Sequence, residues 1–194
     1  MKKIILASNS PRRRELLGGL GYTYEVRVLD GIEESYPKTL KGCEVAAYIS
    51  RVKADAYRAT MADDEIIITA DTIVCLDDKV LGKPTDEAEA MAMLRSLSGR
   101  THQVYTGVTI VAAEKSSTFV SRSDVTFAML SEEEILHYVV NYRPMDKAGA
   151  YGIQEWIGYV GVERIEGSYF NVMGLPVQRL YVELKKYIGK GCGE

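Results

Sequence analysis

The stretch LASNSPRRRELL, residues 6–17, places three consecutive arginines in the first turn of a predicted helix. Ser10 reads as the N-cap and Pro11 as the first helical residue. A helix N-terminus carries about half a positive charge, so cations there cost about 0.3–1 kcal/mol each. A bound anion would reverse that sign, because the free backbone N–H groups and neighbouring guanidinium groups both favour phosphate. The same arginines also fit a solvated face, with Glu15 and Asp30 near in sequence. Asp71 is the second chemical oddity, a carboxylate inside the apolar run EIIITADTIVCL. A buried unpaired charge costs several kcal/mol, so Asp71 must be paired, bound to a metal, or set at a strand end that opens into a cleft.

Lys53 flanks the apolar stripe of its predicted helix and Lys83 sits in the tight turn VLGKP. Each alone fits a solvated lysine with a buried stem. Glu33 and Glu34 form an acidic pair after Gly31, and YRPMDKAGAYGIQ (residues 142–154) gathers Asp146, Lys147 and the amide of Gln154 around fixed turns. An amide donates and accepts at once, which suits reading the edge of a base. The only histidines, His102 and His137, lie far apart. No Walker A loop, G-x-G-x-x-G or C-x-x-C occurs, which removes the commonest ATPase, dinucleotide and redox readings.

The elements that must hold these residues are legible from periodicity. Residues 4–7 read as a short buried strand, 11–20 and 43–61 as helices, and 65–76 as a strand. A helix follows in TDEAEAMAMLRSLSG, then a hairpin of THQVYTGVTIVAA and STFVSRSDVTFAML joined at EKS. SEEEILHYVVN opens with a capping box, Ser131 to Glu134. Residues 158–174 read as two further strands, and LPVQRLYVELKKYI as a closing amphipathic helix. The mixture gives an α/β class with a mixed sheet. No linker or repeat divides residues 1–194, which read as one domain.

Composition is that of a globular chain, 46% apolar and 26% charged. A net charge of −3 leaves no basic footprint for nucleic acid. No apolar run reaches the roughly 20 residues of a membrane span, and the amino end is too brief for a signal h-region. Cys43, Cys75 and Cys192 lack metal spacing, so a reducing cytoplasm is expected.

Taken together, LASNSPRRRELL, ADTIV, LGKP, MLRSLSGRTHQVYTGV, DKAGAYGIQ and GSYFNVMGLP resemble the Maf family of nucleoside triphosphate pyrophosphatases, in the family's order from residue 4 to about 180. The DKAGAYGIQ form resembles the branch acting on dTTP and UTP. The resemblance implies an elongated inosine-triphosphatase-like fold, a mixed sheet with flanking helices and a cleft between two lobes. It implies hydrolysis to monophosphate and pyrophosphate with a divalent cation, Mg²⁺ first and Mn²⁺ or Co²⁺ as alternatives. It makes Asp71 the proton acceptor and, with Glu33, the metal-side acid. Ser8, Arg12, Arg13, Lys53 and Lys83 match polar active-site positions. Arg12, Thr72 and Gln154 match positions of substrate choice. On this pattern Arg12 and Arg13 bind the triphosphate and Arg14 is a surface residue. A homodimer is implied as well. Rival readings are a modified pyrimidine or methylated nucleotide as main substrate, and a non-catalytic nucleotide-binding regulator of septum formation. The stretch EWIGYVGVE (residues 155–163) follows no family pattern.

Overall fold

A computed structural model describes residues 2–188. The chain runs β1 (Lys3–Leu6), α1 (Pro11–Gly18), β2 (Tyr24–Val26), α2 (Cys43–Arg58), β3 (Glu65–Leu76), β4 (Lys79–Leu81) and α3 (Glu87–Leu97). It continues through β5 (Thr101–Ala112), β6 (Lys115–Phe127), α4 (Glu132–Tyr142), a 3-10 turn (Ala148–Ala150), α5 (Trp156–Gly161), β7 (Val162–Glu166), α6 (Tyr169–Met173) and α7 (Val177–Ile188). Cys192 lies outside the described residues; Cys43 is exposed and Cys75 buried, both as free thiols.

Among the described residues seven strands form one mixed sheet in the order β2-β1-β3-β5-β6-β7, with β4 also on β3. The expected strand-hairpin-helix succession is present, including the capping box at Ser131 and Glu134. One expectation fails. Residues 158–174 hold a single strand, β7, between the short helices α5 and α6. Ser168 caps α6 by accepting from the Asn171 N–H, and the β-branched content of this stretch did not reveal that local stop.

β3 is the axis of the molecule. At 12 residues it spans about 40 Å, and alternation along it separates two faces. On one face Ile66, Ile68 and Ala70 pack with Leu17 of α1 and Leu180 and Leu184 of α7. Further along the same face Val74 and Leu76 pack with Leu94 of α3 and Tyr138 of α4. Thr72 falls in the gap between these two cores. On the other face Ile67, Ile73 and Cys75 meet α2 through Ala54, Tyr57, Val45 and Ile49. Two polar residues of that face, Thr69 and Asp71, meet polar groups of the same helix, Ser50 and Lys53.

One edge of β3 is fully paired with β5, from Ile67 to Cys75. Its other edge is shared. β1 pairs parallel with it as far as Ile68, and β4 pairs antiparallel only from Val74. Residues 69–73 have no strand partner on that side, and the cleft between the two cores opens there.

α2 reaches β5 closely because Gly107 lacks a side chain: a Cβ there would lie 2.2 Å from the Ala46 carbonyl oxygen. The Gly107→Ala substitution is expected to cost about 2–3 kcal/mol by overpacking, read as a lowered urea midpoint with unchanged slope. A midpoint equal to wild type would show that α2 can move away freely.

Candidate active site

The cleft has a volume of about 550 Å³, within the range usual for small-molecule sites. Its wall includes five cations, Arg12, Arg13, Lys53, Lys83 and Lys147, and four carboxylates, Asp30, Glu34, Asp71 and Asp146. Ser8, Thr72 and Gln154 also line it, so of the residues singled out by sequence only Glu33 stands outside.

β1 ends at Leu6, and the chain turns over the open edge of β3 into α1. Ser8 is buried there and its hydroxyl oxygen accepts from the Ser10 N–H at 3.2 Å. Ser10 caps α1 by accepting from Arg13 N–H at 3.4 Å. The three arginines then separate. Arg12 faces the cleft, with Nη1 3.7 Å from Asp146 on the opposite wall. Arg14 points to Asn9, donating at 3.3 Å.

Arg13 is committed to the scaffold. Its Nε donates to Gly174 O at 2.9 Å, Nη1 to Ala70 O at 2.9 Å, and Nη2 to Thr72 Oγ1 at 3.1 Å. Ala70 O belongs to the unpaired edge of β3, so the guanidinium stands where a neighbouring strand would. Each terminal nitrogen keeps one further N–H. Burial pulls the Arg13 pKa down and the Asp71 charge opposes it; arginine stays charged throughout. Thr72 is likewise committed. Thr106 Oγ1 donates to Asn171 O at 2.9 Å, so Thr72 must donate to Thr106, at 2.9 Å, while accepting from Arg13.

Asp71 lies in mid-strand rather than at a strand end, and its exposure comes from the missing neighbour on the β3 edge. Its side chain is 13% exposed and its Oδ1 accepts from Lys53 Nζ at 2.8 Å. Lys53 also meets Glu34 at 2.9 Å. Its ammonium therefore sits between two carboxylates, and the second Asp71 oxygen takes no hydrogen bond from the described residues. The acid in the cleft is Glu34, not Glu33. Lys53 draws Glu34 inward, while Glu33 accepts from Ser35 Oγ at 2.8 Å on the outside. Lys83, exposed and between Gly82 and Pro84, enters the wall just after β4 leaves the β3 edge.

The opposite wall comes from residues 146–154. Lys147, only 8% exposed, bonds Asp146 at 2.8 Å and Glu155 at 3.1 Å. Tyr151 lines the cleft and is backed by buried His102, whose Nε2 lies 2.7 Å from the Tyr151 hydroxyl. Tyr151 and Glu155 were not among the sequence candidates, and His102 was given no role there. The Asp146–Lys147 charge pair was the one visible signal.

A mixed sheet opened at one strand edge, with cations brought to the opening from both sides, defines an anion-handling α/β protein. The chain belongs to the Maf-like protein family, whose model matches residues 3–187. It is 62% identical over 184 residues to the dTTP/UTP pyrophosphatase of Bacteroides thetaiotaomicron, covering 95% of each chain. It is 64% identical over 184 residues to the dTTP/UTP pyrophosphatase of Phocaeicola vulgatus, again covering 95% of each. Among solved structures, a HAM1 protein from Coxiella burnetii is 14% identical with a TM-score of 0.49, over 96% of this chain and 100% of that one.

Burial depresses the His102 pKa to about 4 from 6.5. The unfolded chain therefore binds this proton first, so the stability is full above pH 6.5 and lost as pH falls toward 4. Between pH 6.5 and 4.5 wild type is expected to lose about 2 kcal/mol more than a His102→Asn variant. Urea titrations of both proteins at the two pH values check this; parallel losses would assign the acid sensitivity elsewhere.

Proposed function

We propose that the protein hydrolyses dTTP and UTP to the nucleoside monophosphate and pyrophosphate. The observation that carries the reading is the Glu34–Lys53–Asp71 array at the open edge of β3, facing Arg12 and the α1 N-terminus across the cleft. The names of the relatives supply the substrate class.

Attack at the α-phosphorus needs an oriented water and a leaving pyrophosphate whose charge is balanced. Asp71 serves as the acceptor for the proton of that water. Lys53 holds one carboxylate oxygen at 2.8 Å and leaves the other to the water. Arg12, Lys83 and the N–H groups of the first turn of α1 bind the triphosphate. Arg13 supports this end of the cleft by fixing α1 to β3 and to Gly174. Gln154, whose amide makes no hydrogen bond with the described residues, reads the base.

The donor set also fits a divalent cation. Two carboxylates already share one cationic neighbour, and Mg²⁺ is commonly held by one or two carboxylates together with substrate phosphates. Glu34 and Asp71 would hold it, and when bound it supplies charge neutralisation on the phosphates and a more acidic water.

Purified protein with Mg²⁺ is expected to convert dTTP and UTP to monophosphate and pyrophosphate, separable by ion exchange, with little turnover of ATP or GTP. Diphosphate and orthophosphate instead would mean attack at the γ-phosphorus. EDTA is expected to stop the reaction and excess Mg²⁺ to restore it. Asp71→Asn should lower kcat by about 10²–10⁴-fold, the usual contribution of a general base, with the circular dichroism spectrum unchanged. A folded variant within tenfold of wild type would remove Asp71 from the base role.

A further inference from the structure

Glu34 reaches the cleft from the irregular stretch between β2 and α2, the longest among the described residues. That stretch has few tethers. At its start the Arg27 N–H donates to Leu6 O at 3.1 Å, and the Arg27 guanidinium donates through Nη1 to Glu65 at 2.8 Å. From residue 28 to residue 39, two polar contacts join the chain to the rest of the fold among the described residues. One is the Leu29 N–H on the Tyr57 hydroxyl, the other is Glu34 on Lys53.

Both anchors stand on α2. Lys53 and Tyr57 are four residues apart, which places them on one face of the helix. Tyr57 is only 2% exposed. Its hydroxyl donates to Arg27 O at 3.0 Å and accepts from Leu29 N–H at 2.9 Å, so it is spent on the backbone of this strap. The ring acts on the same segment. Leu29 and Ile32 pack against the cluster formed by Ile5, Ala54, Tyr57 and Ile67. Gly31, at φ +76°, turns the chain between those two apolar contacts, and Glu34 follows Ile32 by two residues.

The Glu34 side chain is 50% exposed. Holding a carboxylate still on a long irregular stretch costs chain entropy, and a half-exposed ion pair contributes little toward it. Lys53 therefore captures Glu34 only if the backbone has already been brought to its side. The Tyr57 hydroxyl does that without supplying a ligand of its own.

We propose that Tyr57 is a positioning residue for the metal-side acid: its hydroxyl pins the strap at Arg27 and Leu29, and so delivers the Glu34 carboxylate to Lys53 and Asp71. The inference rests on the metal-assisted reading above. It adds the support on which one of the two carboxylates of that reading depends.

The experiment uses wild type, Tyr57→Phe, Glu34→Gln and the double variant, with the thermal midpoint of each. Tyr57→Phe keeps the ring in its cluster and removes only the hydroxyl. Amide hydrogen exchange is read without metal or nucleotide, and the Mg²⁺ concentration for half-maximal UTP hydrolysis is read separately. In Tyr57→Phe, exchange across residues 28–35 is expected to quicken while α2 and β3 stay protected. The half-saturating Mg²⁺ is expected to rise about tenfold, as for loss of a residue that orients a metal ligand, with kcat at saturating Mg²⁺ nearly unchanged. Glu34→Gln is expected to raise the same requirement, and adding Tyr57→Phe to it should raise it no further, because the two act through one carboxylate. Equal effects in both backgrounds mean a general loosening and overturn the proposal. Quicker exchange with an unchanged Mg²⁺ requirement overturns it too, as does unchanged exchange. Wild-type protein that hydrolyses UTP equally well in EDTA overturns the parent metal reading instead, and this one with it.

Discussion

The structure depends on an interruption in pairing. β3 carries two partners on one edge, and between the end of β1 and the start of β4 its residues 69–73 have none. Backbone groups left this way must find other partners. The guanidinium of Arg13 is one, bonding Ala70 O where a strand would have donated. Because β1 stops early, the chain must leave the sheet at that point, which puts the α1 N-terminus over the opening. Because β4 joins late, the turn bearing Lys83 leaves the sheet on the other side. One missing stretch of ladder thus brings cations to a carboxylate from both directions.

The same interruption explains an arginine in the first turn of α1. The helix dipole opposes it by about 0.3–1 kcal/mol. Against that stand three bonds from one guanidinium to Gly174 O, Ala70 O and Thr72 Oγ1, with charge-assisted bonds worth about 1.5–3 kcal/mol each. These bonds, set against the burial of the guanidinium as well as the dipole, give the arginine its place in the first turn without any ligand. Beyond Thr72 the donors run in one direction, from Thr72 to Thr106 and from Thr106 to Asn171 O. This line ties α1, β3, β5 and α6 together beneath the cleft. Of the three arginines one is structural, one faces the cleft, and one bonds Asn9.

Local signals were readable where local physics decides. Ser10 and Ser131 each cap the helix that follows them, and the β-branched richness of two stretches joined by a short polar link located β5 and β6. β2 and β4, at three residues each, are too short to leave a period. The helices flanking β7 are equally short, and their residues suit a strand as well as a helix. Asp71 was legible as an anomaly, but its cause was not. The gap that exposes it is a relation among three segments far apart in sequence. Glu34 rather than Glu33 enters the cleft because of Lys53, a choice between neighbours that adjacency cannot express. Glu155 was invisible for the same reason, since its partners sit at positions 138 and 147.

The ion pairs of the cleft also differ in how readily they can be exchanged. The Lys53–Asp71 pair is close and its side chains are only 14% and 13% exposed, so removing either partner would strand a buried charge. The Arg12–Asp146 contact is long at 3.7 Å, and Asp146 is 66% exposed, the kind of pair worth about 0–1 kcal/mol. A polyanion entering the cleft therefore displaces Asp146 from Arg12 at little cost, while Asp71 stays on Lys53. Asp146 keeps Lys147 when it releases Arg12, since that bond runs through its other oxygen. Anion binding can thus proceed without disturbing either the Lys53–Asp71 pair or the wall formed by residues 146–154. The division of labour follows from burial, with the deep pair fixing geometry and the shallow pair giving way.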